Sequence, residues 1–207
     1  MSFFDFHHHK KYQNGIYNLN LRENIPQNYF SVGVHPQDID NHLDDNFKRI
    51  KEISVDNHCI AIGETGLDGL IDVDEKIQEK VFENHIIWAN EIRKPIIIHC
   101  VKRFSKLLKF SKIAKVPLIV HGFNKKQSIA TELLNAGFYL SFGKAVLQNV
   151  SLQTLVKDFP TEKMFLETDD ADFDIANLYQ KVSELKNIST ENLQNQILEN
   201  LARIRNL

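Results

Sequence analysis

Along this chain, short runs of β-branched and aromatic residues alternate with longer amphipathic stretches, the pattern of a parallel sheet covered by helices. Eight strand candidates fall at 3–6, 16–21, 29–35, 59–64, 95–99, 117–121, 138–142 and 164–168. Seven helical stretches fit at 39–55, 73–92, 103–115, 125–135, 146–157, 174–186 and 190–203. Eight strands with helices between most of them predict a (β/α)8 barrel. The front of the chain departs from that scheme. About nine residues separate the first two strand candidates and about seven the next two, where a parallel crossover takes roughly a dozen or more. The expectation is a reduced or distorted TIM-type (β/α)8 barrel lacking its first two covering helices, the alternative being a second strand that fails to join. With no internal repeat and no Pro/Gly-rich linker, residues 1–207 are expected to form a single barrel domain.

Composition narrows the classes. A chain of 207 residues with 43% hydrophobic content can bury a sizeable core. The formal charge of -2 gives no global attraction to nucleic acid, so any phosphate contact must come from a local cluster. One candidate is Lys102, Arg103, Lys106, Lys109, Lys112 and Lys115. Cys59 and Cys100 are too sparse for a disulfide framework and fit a reducing compartment as free thiols. No apolar run approaches the roughly 18 residues of a membrane helix, and the start lacks a signal peptide's apolar centre. A cytoplasmic protein without membrane partners is expected; nothing indicates its oligomeric state.

The polar residues concentrate where the strands end. In "FFDFHHHK", alternation along a strand turns His7 and His9 one way and His8 the other, leaving His8 as a surface residue or a support. His35, Glu64, His99, His121 and Asp169 stand at the ends of later strand candidates. A parallel barrel gathers those ends at one mouth. Imidazoles and carboxylates so gathered form a ligand set for one or two divalent ions, with Zn, Mn or Mg as candidates. His7, His9 and Asp169 are assigned to one ion, His99 and His121 to the other, and Glu64 to both as a bridge. Such a pair implies hydrolysis, with Glu64 and Asp169 as the catalytic candidates, Asp169 as ligand or proton acceptor. His35 is expected to touch a substrate anion or orient a ligand. Asp68 is either part of the site or a local cap. Lys102 and Arg103 open a helix beside the mouth and are the candidate phosphate contacts, with Lys125 and Lys126 next; the rest of the basic run reads as a solvated face. Asp38, Asp40, Asp170, Asp172 and Asp174 weigh against a long DNA track.

Six motifs in order carry a family resemblance. "DFHHH", "VGVHP", "IGETGLD", "KPIIIHC", "VPLIVHGF" and "FLETDD" are similar to the D-x-H-x-H, GxHP, GExGLD, two later histidine strands and ETD signature of the TatD-like metal-dependent hydrolases. The resemblance implies a distorted barrel, a divalent metal site and hydrolysis, with phosphodiester bonds in DNA as the best-known substrate class. It supports the metal role of His7, His9, Glu64, His99, His121 and Asp169. Three departures stand out. His9 and Gly33 are only 24 positions apart, Val101 stands where the family commonly has an arginine, and "DADFDIANLY" replaces a proline-containing loop. The leading expectation is hydrolysis of a phosphoester, with a DNA end as a candidate. The alternatives are hydrolysis of a small carbonyl substrate in the manner of amidohydrolases, and a metal-binding protein without catalysis.

Overall fold

The computed structural model describes residues 3–11 and 13–206. Its strands are β1 (Asp5–His8), β2 (Gly15–Asn18), β3 (Phe30–Val32), β4 (Cys59–Asp68), β5 (Ile96–Val101), β6 (Leu118–Val120), β7 (Tyr139–Phe142) and β8 (Met164–Leu166). They lie side by side in chain order, each parallel to the next. A parallel bridge between His8 and Asp169 closes the circle. Across that seam the Asp169 N–H donates to the His7 carbonyl at 2.9 Å, and the His9 N–H donates to the Asp169 carbonyl at 3.3 Å. The result is a TIM-type barrel, and β2 is a full member of it.

Helices α1 (Leu43–Ile53), α2 (Glu75–Ile92), α3 (Phe104–Phe110), α4 (Gln127–Asn135), α5 (Val150–Asp158), α6 (Ile175–Lys186) and α7 (Thr190–Arg205) cover it. Among the described residues no helix separates β1 from β2 or β2 from β3. Side-chain caps fix several helix starts: Asp74 accepts from the Lys76 and Ile77 amides, Asp174 from Ala176 and Ser189 from Asn192. Strands covered on both faces need unbroken apolar sequence, as "III" supplies in β5. Phe6 and Phe165 stack between β1 and β8 with ring centroids 4.0 Å apart, both wholly buried.

Two strands run further than their sequence pattern indicates. β4 continues to Asp68 and β5 to Val101, so Glu64 and His99 stand inside strands and not at their ends. The glycines of "GETGLD" read as a turn, yet here they permit close approach. A side chain at Gly66, with φ of +151°, would collide with the His99 backbone. The β4–β5 register shifts between Ile62 and Thr65, a bulge that re-aims Glu64. Helix α3 ends at Phe110, short of the expected 115, and α1 begins only at Leu43, after a 3-10 turn at Pro36–Asp38.

Candidate active site

The mouth of the barrel opens into a cavity of about 1010 Å³ whose wall includes His9, His35, Glu64, His99, His121 and Asp169. Glu64 is at its centre. Its Oε1 lies 2.8 Å from His99 Nδ1, 2.8 Å from His121 Nε2 and 3.5 Å from His35 Nε2. Its Oε2 lies 3.4 Å from His7 Nε2 and 3.9 Å from His9 Nε2. One carboxylate therefore presents a separate oxygen to each of two imidazole sets. Asp169 completes the second set, its Oδ1 being 3.4 Å from His9 Nε2 and 3.7 Å from His7 Nε2.

The donors of His7, His9, Glu64 and Asp169 fit a divalent ion, whereas the 2.8 Å approaches of His99 Nδ1 and His121 Nε2 to Glu64 Oε1 are hydrogen-bond distances. An ion with bonds of about 2.0–2.1 Å in tetrahedral geometry sets neighbouring ligand atoms about 3.4 Å apart, and the His7, His9, Glu64 and Asp169 spacings of 3.4 to 3.9 Å scatter around that value. Those gaps are too long for good hydrogen bonds. His7 Nε2, the nitrogen that faces Glu64 and Asp169, is buried with no hydrogen-bond partner among the described residues, and an ion bound there would offset the cost of burying it. Three clusters converge within ligand range: His7 with His9 and Asp169, His7 with Glu64 and His121, and His35 with Glu64 and His99.

The carboxylates and imidazoles at the mouth pair electrostatically with one another. Burial opposes the charged Glu64 carboxylate, but His121, His7 and His99 overcome it and hold its pKa well below the usual range. Burial likewise opposes the His121 cation, and Glu64 and Glu167 outweigh it and hold that pKa well above the ordinary value. The bond to Asp169 raises the pKa of His9. Asp169 is held low, because the imidazoles of His9, His121 and His7 outweigh its burial.

Asn18 and Glu167, which the sequence did not single out, and Asp68, which it did, support the candidate ligands. Asn18, the last residue of β2, donates from Nδ2 to Glu64 Oε2 at 3.1 Å and accepts the Glu64 N–H at 3.2 Å. Glu167 is fully buried, its Oε1 accepting from the Gly122 amide and lying 3.6 Å from His121 Nδ1. Asp68 does for His99 what Glu167 does for His121: its Oδ2 is 3.1 Å from His99 Nε2, while its Oδ1 caps the Leu70 amide at 2.8 Å. Both roles open to Asp68 are thus filled at once. A carboxylate behind a ligating imidazole fixes its tautomer and raises its basicity. Asn18 lies in the middle of the 16–21 strand candidate, where nothing in the sequence marks it.

Other expectations resolve differently. His8 does face away from His7 and His9, but it is wholly buried and not at the surface, because the neighbouring strands leave no solvent beside β1. Its Nδ1 accepts from the Lys10 amide at 3.3 Å, and burial lowers its pKa to about 4. His35 Nδ1 accepts from the Gln37 amide at 3.2 Å, which leaves Nε2 carrying the proton in the neutral ring and facing the cavity as a donor. Lys102 and Arg103 do not line the cavity. β5 runs on to Val101 and the backbone turns left-handed at Lys102, with φ of 54°, which carries both away from the mouth. Arg103 Nε is bound to Glu75 Oε2 at 2.6 Å.

With this geometry in view, the comparisons with known proteins are concordant. An uncharacterized metal-dependent hydrolase of Bacillus subtilis, YabD, is 36% identical over 147 residues, a match covering 68% of this chain and 58% of that protein. A protein of Citrobacter rodentium named 3'-5' ssDNA/RNA exonuclease TatD is 28% identical over 156 residues, covering 72% and 59% of the two chains. The chain thus matches under two thirds of the length of these curated relatives. The crystal structure of YJJV, a TatD homologue from Escherichia coli K12, superposes with a TM-score of 0.84 at 18% identity, covering 100% of this chain and 98% of that one, and shares the fold. The profile described as TatD related DNase matches residues 7–206, and on that extent the chain belongs to the TatD-related DNase family.

Proposed function

We propose that the protein is a metal-dependent hydrolase of phosphoester bonds. The observation that carries this reading is the Glu64 carboxylate, which turns one oxygen to His99 and His121 and the other to His7 and His9, as a ligand shared by two ions must. His7, His9 and Asp169 would hold one ion and His99 with His121 the other; zinc and manganese suit this imidazole-rich set better than magnesium. Such ions make water a stronger nucleophile near neutral pH and offset the charge that develops on a phosphoryl oxygen.

The protein's own groups do the rest. Asp169, ionised and with a side chain 37% exposed on the cavity wall, takes a proton from the attacking water. The water oxygen bonds to phosphorus, the bond from phosphorus to the leaving oxygen breaks, and that oxygen keeps the electron pair and takes up a proton. His35 Nε2–H is placed to donate to a substrate oxygen. Asn18 holds Glu64 in register through its two hydrogen bonds. The printed name of the Citrobacter relative supports phosphodiesters as one substrate class. No helix among the described residues is long and apolar enough to cross a membrane. Residence in the cytoplasm belongs to the same proposal, supported by two cysteines that are both free thiols.

The test is a screen of protein reconstituted with zinc or manganese against phosphomonoester, phosphodiester and carbonyl ester substrates. Turnover of a phosphoester that Asp169→Asn lowers by at least about 10²-fold is the expected result. Turnover of carbonyl esters alone, or of nothing, removes the reading.

A further inference from the structure

We propose that the cavity takes a small phosphomonoester, one phosphate on a neutral or cationic body, and turns away extended polyanionic strands. The inference rests on the phosphoester reading above. A groove that binds single strands needs a track of lysine and arginine along the backbone and aromatic faces on which bases stack. Among the described residues of the wall there is no basic track, Arg22 being the sole lysine or arginine, and no phenylalanine, tyrosine or tryptophan face; its rings are imidazoles, most of them engaged with Glu64.

The rim carries the opposite charge. Asp38, Asp40, Asp45 and Asp170 are exposed and line the cavity together with the carboxylates of Glu64, Asp68 and Asp169. Seven carboxylates face one guanidinium, so even two divalent ions leave the wall net negative with neutral histidines. The first phosphate of a substrate is drawn in by the ions. The next phosphate along a strand meets aspartates. The basic run after β5 contributes nothing to the wall: Glu75 holds Arg103 and Lys106, Glu79 holds Lys109 at 2.6 Å, and Lys102, Lys112 and Lys115 do not line the cavity.

Arg22 is suited to the one phosphate. It follows β2 on the loop that closes the front of the barrel, and its side chain is exposed without an ion pair among the described residues, although carboxylates share its cavity. A planar guanidinium left unpaired beside a metal-dependent site matches the two or three terminal oxygens of a monoester. Hydrolysis there adds water across the phosphorus–oxygen bond and releases an alcohol and inorganic phosphate. A cavity of about 1010 Å³ is large enough for a small organic phosphate.

The experiment compares kcat/KM for p-nitrophenyl phosphate with kcat/KM for release of the terminal nucleotide from a ten-residue oligothymidylate, using manganese-reconstituted full chain at physiological salt. The monoester is expected to win by at least ten-fold. Joint replacement Asp38→Asn, Asp40→Asn and Asp45→Asn should raise the ratio of strand to monoester kcat/KM at least ten-fold, and Arg22→Ala should raise KM for the monoester at least five-fold with bound metal unchanged. Should the triple variant fold poorly, the Kd of wild-type protein for fluorescent oligothymidylate gives a second reading: it should weaken less than three-fold between 50 and 300 mM salt, where a track of several phosphate contacts weakens far more. Preference for the strand, an unshifted ratio, or steep salt dependence overturns the inference and leaves phosphoester chemistry standing. Hydrolysis of carbonyl esters alone overturns both.

Discussion

Glu64 shows how one residue can organise a site. Its burial to 6% exposure costs free energy that imidazoles and ions must offset, so it belongs where both sets of donors converge. Glu64→Gln keeps the shape but loses half of the bridge's charge-bearing oxygens, and elemental analysis should find one divalent ion or none where wild type holds more. Full occupancy of both positions in the variant would remove the bridging role. Glu167→Gln probes the support behind His121. It should weaken metal affinity by about 10–100-fold, the usual effect of losing such a carboxylate, read by competition against a fluorescent chelator; unchanged affinity would make Glu167 a packing residue. The ligand candidates were legible because histidines and acids recur where strand patterns stop. Asn18 and Glu167 were not, because an amide within a strand candidate and a glutamate within "FLETDD" carry no periodic signal, and their importance comes from partners 46 and 45 positions away.

At the scale of elements, α2 anchors the segment that presents His35. His85 of α2 is fully buried; its Nε2 accepts the Val34 amide at 3.0 Å and its Nδ1 faces the Val81 carbonyl at 2.7 Å. That arrangement requires the neutral ring, since protonation would place a proton where the Val34 N–H already points. Burial lowers the His85 pKa to about 4. Its folded pKa lies below the unfolded value near 6.5, so in this window the unfolded chain binds more protons. The stability it contributes is full above about pH 6.5 and is lost as pH falls toward 4, up to on the order of 3 kcal/mol. Thermal unfolding of metal-free protein between pH 7 and pH 4.5 should show a steeper fall for wild type than for His85→Gln. Parallel curves would assign the acid sensitivity elsewhere. None of this was visible in the sequence. The periodicity of residues 73–92 predicted the helix, whereas β4's extension past Glu64 was concealed by glycines that read as a turn and serve instead to admit β5.

At the scale of the molecule, closure of the barrel and assembly of the site are one event. The front of the fold was legible because gaps of about nine and seven residues cannot carry helices; how the ends meet was not, since β1 and β8 are over 150 residues apart. The seam is made by the backbone of Asp169 against His7 and His9, and beside it Asp5 accepts from the Thr168 amide at 2.9 Å and from the Thr168 hydroxyl at 2.6 Å. Asp5 is wholly buried, and burial pushes its pKa to about 7 against those bonds. Asp5→Ala leaves two buried donors on Thr168 unanswered, a cost of about 2 kcal/mol, which lowers Tm by roughly 4–8 °C in a chain of this size. An ion held by His7, His9 and Asp169 would clamp the same seam, and binding to the native state alone raises stability by about 2.7 kcal/mol at 100 times Kd. The two effects must therefore couple. Manganese at a fixed concentration should raise the Tm of wild type by several degrees and that of Asp5→Ala by clearly less, because the loosened seam holds the ligands less well. An equal metal-induced gain in both proteins would show that the ion binds without drawing on the closure, and that the hydrogen bonds of Asp5 serve the barrel alone.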